Sequence, residues 1–133
     1  MADQLKSIIC IEDDADMNEL IQLILRRKGF KVDGAMNGSD GLRKIREAIP
    51  DLVLLDLMIG DPNGWEVYQQ LKADEKTKEI PVMIVTAKAE CVDKVLGLYI
   101  AKVVDYVSKP FLPSDLIERV NKVLAKKSPE KNI

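Results

Sequence analysis

Five side chains able to do chemistry stand where short apolar runs stop: Glu12 and Asp13 after Ile8–Ile11, Asp56 after Leu52–Leu55, Thr86 after Val82–Val85, and Lys109 just past Val107. Apolar runs of this length bounded by polar turns read as strands covered on both faces, so each of these groups sits at a strand end. Three carboxylates gathered on one rim repel, by roughly 4 kcal/mol for a pair about 4 Å apart at an effective dielectric of about 20. They need protons or a cation. A hard divalent ion is the natural partner, and Mg²⁺, or Mn²⁺ in its place, takes one or two carboxylates together with waters and phosphate oxygens. The Lys109 ammonium and Thr86 hydroxyl could bind further oxygens of a phosphoryl group, whose transfer depends mainly on positioning and electrostatic stabilisation. Asp56 would then be the nucleophile, forming an aspartyl phosphate.

That chemistry requires the strands to be neighbours. Ser7–Ile11 forms the first strand. Met17, Leu20, Ile21, Ile24 and Leu25 recur at helical spacing, with Arg26, Arg27 and Lys28 at the favourable end of the dipole and Gly29 as stop. Lys31–Ala35 is a second strand, and Asn37-Gly38 turns into a helix with Leu42, Ile45 and Ile49 on its apolar side, ended by Pro50. The third strand runs from Asp51 to Asp56, and after the Gly60–Gly64 loop Trp65, Val67, Tyr68 and Leu71 mark a third helix. Pro81–Thr86 is a fourth strand, and a helix over about 90–99 carries Val92, Val95, Leu96 and Tyr99 on one side. Val103–Val107 is the fifth strand. The last helix begins at Pro113, with Leu116, Ile117, Val120, Val123 and Leu124 as its apolar face.

Strands alternating with helices force parallel pairing, so the expected architecture is α/β, a doubly wound five-stranded parallel sheet with five helices. In the flavodoxin-like order 2-1-3-4-5, strands 1 and 3 meet at the switch point, where ligands bind beyond the strands' C-terminal ends. All five groups then share one rim. The unit should occupy residues 1–125, with 126–133 as a polar tail or the start of a linker.

Composition narrows the field. At 133 residues the chain is one domain, and 20 Lys and Arg against 22 Asp and Glu give no electrostatic case for binding nucleic acid or anionic lipid. No apolar run approaches a membrane span and the N-terminus lacks a signal layout, which assigns the chain to the cytoplasm. The absence of histidine removes His-based triads and most zinc sites, and Cys10 and Cys91 lack metal-ligand spacing and read as reduced thiols.

Taken together, the residues resemble the receiver domain of two-component response regulators, the CheY-like family, over about residues 5–125. The likeness rests on Ile-Glu-Asp-Asp at 11–14, Asp-Leu-Val-Leu-Leu-Asp at 51–56, Gly64 eight past Asp56, Pro-Val-Met-Ile-Val-Thr-Ala at 81–87 and Tyr-Val-Ser-Lys-Pro-Phe at 106–111. It implies that Asp56 accepts phosphate from a histidine kinase or phosphotransfer protein, while Glu12, Asp13, Asp56 and the Met58 carbonyl hold the metal. Thr86 and Lys109 would bind phosphoryl oxygens, and Tyr106 would turn inward as Thr86 moves. A cis bond between Lys109 and Pro110 is implied as well. The chain would catalyse only its own phosphorylation and dephosphorylation. Phosphorylation would switch a face built from the fourth helix, fifth strand and fifth helix, around Lys94, Tyr99, Asp105 and Tyr106. Exposed parts of the first helix would meet the kinase. That output face would serve a downstream protein, an output domain of the same polypeptide or a phosphorylation-dependent homodimer.

The chain departs from the family at Gly60, where Pro is usual, and at Ala101–Val104, which replaces a small Gly-containing turn; Gly97 to Tyr106 is one residue longer than common. Met58 and Lys88 occupy positions where the family that the chain resembles tunes phosphate lifetime. Simpler readings stand beside these roles. Acids at 12–14 can cap the first helix, a role given to Asp14 and Asp16. Thr86 can be an ordinary β-branched strand end, Lys109 a solvated charge and Tyr106 a half-buried strand aromatic. Trp65, Tyr68 and Cys10 read as packing residues. The enzyme alternative is a metal-dependent phosphohydrolase with an aspartyl-phosphate intermediate, similar to the haloacid dehalogenase group, but Met58 stands where its general acid belongs. A nucleotide-binding relative would need a Gly-rich loop after the first strand, and acids follow instead.

Overall fold

The computed structural model describes residues 5–87 and 105–127. Five parallel strands, β1 (Ser7–Ile11), β2 (Lys31–Ala35), β3 (Leu52–Leu55), β4 (Val82–Thr86) and β5 (Asp105–Ser108), form one sheet in the order β2-β1-β3-β4-β5. Four helices lie among the described residues: α1 (Ala15–Arg26), α2 (Gly38–Ala48), α3 (Gly64–Ala73) and the C-terminal α4 (Pro113–Lys127). The helix expected over 90–99 lies outside the described residues, as do Lys88, Cys91, Lys94, Tyr99 and Ala101–Val104. Among the described residues no helix is long and apolar enough to cross a membrane.

Alternation along the strands divides the core in two. Ile8, Cys10, Leu52, Leu54, Met83, Val85 and Val107 face α1 and α4, where they meet Ile21, Ile24, Leu25, Leu116 and Val120. Ile9, Ile11, Val53, Leu55, Val82 and Ile84 face α2 and α3 and meet Leu42, Ile45, Val67, Tyr68 and Leu71. The uninterrupted apolar runs of β3 and β4 are thus explained: every residue of both strands is buried.

Helix starts follow local chemistry. Asp14 caps α1 by accepting from the Asp16 and Met17 N–H groups, and Asn37 caps α2 by accepting from Asp40 N–H. Asn63 and Glu66 form a reciprocal capping box on α3, each side chain accepting the other's backbone N–H at 2.9 Å. Two positions expected on apolar faces are not there. Leu20 is exposed because it lies about 100° around the helix from Ile21. Ile49 is also exposed, since α2 ends before it. The following Pro50 disfavours a right-handed helical residue, and Ile49 takes a left-handed φ of 45° while its N–H still reaches the Ile45 carbonyl at 2.8 Å.

Candidate functional site

The rim of the sheet is built by continuing its ladders one residue past the apolar runs. The Asp56 N–H donates to the Ile11 carbonyl at 3.1 Å, the Glu12 N–H to the Ala35 carbonyl at 3.0 Å and the Lys109 N–H to the Thr86 carbonyl at 2.8 Å. Register therefore carries the functional side chains to one place. Oxygens of Glu12, Asp13 and Asp56 lie within 4.8 Å of one another. Lys109 reaches into the same cluster, its Nζ 2.5 Å from Glu12 Oε1 and 3.0 Å from Asp56 Oδ2. The second oxygens of Glu12 and Asp56 are engaged by main chain: Asp14 N–H donates to Glu12 Oε2 at 3.1 Å and Met58 N–H to Asp56 Oδ1 at 2.9 Å.

Burial distinguishes the members. Glu12 and Asp56 are 2% and 5% exposed, whereas Asp13 is open to solvent. Burial pushes the Glu12 carboxyl above its ordinary 4.5, outweighing the hydrogen bonds from Lys109 and Asp14 N–H, and the charge of Asp56 adds to the rise. For Lys109, burial works downward, but hydrogen bonds and charge from Glu12 and Asp56 together outweigh it, so the ammonium is held above its ordinary 10.5. One residue inside the rim, burial is the main cause that pushes the Cys10 thiol up to about 12. Cys10 is core, as its strand position implied.

The other expected residues fall around this cluster. Thr86 is buried at the end of β4, paired in register with Ser108. Tyr106 is half-buried and packs beside the α2/α3 core, opposite Ile84 in the ladder. Its carbonyl accepts from Arg119 Nη1 at 3.2 Å, and the same nitrogen donates to Asp105 at 2.8 Å. The Met58 side chain is half-exposed. The Lys109–Pro110 bond is cis, as is Asp61–Pro62. Gly64 has a plain reason for its place eight past Asp56: a Cβ there would overlap the Asp56 carbonyl and the Leu57 backbone. Only a residue without a side chain lets α3 start against the end of β3.

Three carboxylates face one ammonium here, so the cluster retains an excess of negative charge, and its free valences are all oxygens. A hard divalent cation fits that donor set. Asn18 was not singled out by the sequence. It lies buried in α1 with its amide nitrogen donating to the Glu12 carbonyl at 2.9 Å. The signal was a four-residue repeat of polar side chains, Asn18, Gln22 and Arg26, along a helix read for its apolar stripe.

The response regulator receiver domain model matches residues 8–121. The DNA-binding response regulator MtrA of Mycobacterium leprae is 40% identical over 123 residues, covering 92% of this chain and 53% of that protein. The phosphate regulon transcriptional regulatory protein PhoB of Escherichia coli is 34% identical over 124 residues, covering 93% and 54%. The chain thus spans about half the length of the curated relatives it matches. Among solved structures, a CheY-like response regulator receiver domain protein from Methanospirillum hungatei superposes with a TM-score of 0.85 at 29% identity, covering 96% of this chain and 99% of that one.

Proposed function

The chain belongs to the response regulator receiver domain family, and on that premise we propose that Asp56 is its phosphoacceptor. The observation that carries the reading is the convergence of Lys109 with Glu12, Asp13 and Asp56 on one rim. An Asp56 carboxylate oxygen attacks phosphorus, a phosphorus–oxygen bond forms, and the bond to the donor breaks with its electrons leaving on the donor. Met58 N–H and Lys109 hold the carboxylate ready, and Lys109 can transfer one of its hydrogen bonds to an incoming phosphoryl oxygen. The Thr86 hydroxyl takes another oxygen, and its movement passes the event to Tyr106. Glu12, Asp13, Asp56 and the Met58 carbonyl would hold Mg²⁺ or Mn²⁺, which when bound supplies positive charge to the phosphoryl oxygens.

The donor is a histidine kinase or phosphotransfer protein, and the output is a downstream protein, a domain of the same polypeptide or a second copy of the chain. The receiver unit occupies residues 1–125, and the chain, with a net charge of −2 over its 133 residues, makes no direct contact with nucleic acid or membrane. It acts in the cytoplasm and turns over nothing besides its own phosphate. Met58 supplies no titratable group where a phosphohydrolase of the rival class needs a general acid.

Incubation with acetyl phosphate and Mg²⁺ should add one acid-stable, base-labile phosphate per chain, read by intact mass. Labelling that persists in Asp56→Asn would sink the assignment.

A further inference from the structure

Outside the acidic cluster, Asn18 is a buried polar side chain with both its amide nitrogen and its oxygen hydrogen-bonded. Its amide nitrogen donates to the Glu12 carbonyl at 2.9 Å and the Ala35 carbonyl at 3.0 Å, and its oxygen accepts from Gln22 Nε2 at 2.7 Å. Gln22 Oε1 in turn accepts from Arg26 Nη2 at 2.7 Å, and that nitrogen also donates to the Val32 carbonyl at 2.8 Å. Residues four apart share one stripe of a helix, and this stripe runs beside β2 from Val32 to Ala35. Gly34 lets it lie flat, because a Cβ there would overlap Asn18 Oδ1 and Gln22 Nε2.

An aliphatic residue would bury more apolar area at position 18, and an amide there is favourable only if bonded throughout. What the bonds hold is informative. The Ala35 carbonyl accepts from both Asn18 and the Glu12 N–H, so the end of β1 is clamped to the end of β2 at the residue that enters the acidic cluster. The Glu12 carboxylate is held by Lys109 and Asp14 N–H, and its main chain by Asn18.

We propose that Asn18 is a positioning residue for the cation-binding acids, holding the Glu12–Asp13 turn in place through the Glu12 carbonyl, with Gln22 and Arg26 orienting its amide. The proposal rests on the reading of Glu12, Asp13 and Asp56 as the metal site.

Titration of the full chain with Mn²⁺, followed by electron paramagnetic resonance, reads cation affinity without phosphoryl transfer. Wild-type protein should bind one Mn²⁺ and Asp13→Asn should lose it. Failure of the wild type to bind overturns the site reading and this proposal with it. In Asn18→Leu, folding being checked by circular dichroism, Mn²⁺ affinity should fall about tenfold. Saturating Mg²⁺ should restore its phosphorylation by acetyl phosphate, raising the apparent Mg²⁺ constant and leaving the maximal rate unchanged. Wild-type Mn²⁺ affinity in this variant overturns the positioning role, while the site reading stands on the wild-type titration. A lowered maximal rate with an unchanged Mg²⁺ constant overturns it too. If Asn18→Leu does not fold, Gln22→Met decides instead: a smaller loss of Mn²⁺ affinity supports the proposal, and unchanged affinity overturns it.

Discussion

Two of the groups of acid and base side chains among the described residues share residue types but little else. On the outer face of α2, Arg43 pairs with Asp40 and Glu47, and Lys44 with Asp33 and Asp40. Two cations meet three anions there, and the group lies open to water, with the Arg43 side chain 56% exposed and that of Glu47 65%. On the rim, the Lys109 side chain is 16% exposed and the side chains of its two partners 2% and 7%, and a third carboxylate stands by. Water screens the first group and its long side chains spend entropy to meet, so each pair contributes little. The second group is desolvated and more strongly unbalanced, with one cation to three anions. Removing one member there leaves a buried charge without a partner, and adding a cation completes the set. What separates an ornamental ion pair from a reactive one is burial together with the larger charge imbalance.

Lys109→Met should sharpen the contrast most. With the ammonium gone, Glu12 and Asp56 face each other in a buried site, and the protein should lose about 3 kcal/mol of stability in urea unfolding at neutral pH, or bind a proton to avoid it. Equal stability in the variant would mean that the rim is as well screened as α2. Gly64→Ala comes next, because its methyl would press on backbone that cannot swing aside. Overpacking of this kind costs about 2 kcal/mol, and the phosphorylation rate should fall as the end of β3 shifts. Arg43→Ala should be the smallest, with a urea midpoint indistinguishable from that of the parent protein. A clear loss there would break the comparison from the other side.

The sequence made the scaffold legible because buried strands announce themselves as apolar runs, and β1, β3 and β4 lie where those runs lie. The strand-end groups were legible for the same reason. Their partners were less so. That Lys109 joins Glu12 and Asp56 at once depends on how β5 sits across β4, information held in register rather than in any local pattern. The box formed by Asn63 and Glu66 is written as an Asn three before a Glu, a short signal that the weak apolar pattern of α3 does not reinforce. Ile49 looked apolar enough to be core, and the proline after it decided otherwise. Asn18 escaped because periodicity in α1 was counted in hydrophobic residues, and its signal is polar.

The continuation of the ladder past the apolar runs has a further consequence. Glu12, Asp56 and Lys109 each give their backbone N–H to a neighbouring strand, so the cluster they form together is assembled only when β1, β2, β3, β4 and β5 are paired in register. A slip of one residue in any of them would turn its terminal side chain to the opposite face. On the proposed reading, an attached phosphate certifies the fold: a partly assembled chain has nothing to accept it with, and the signal is withheld until the sheet is whole.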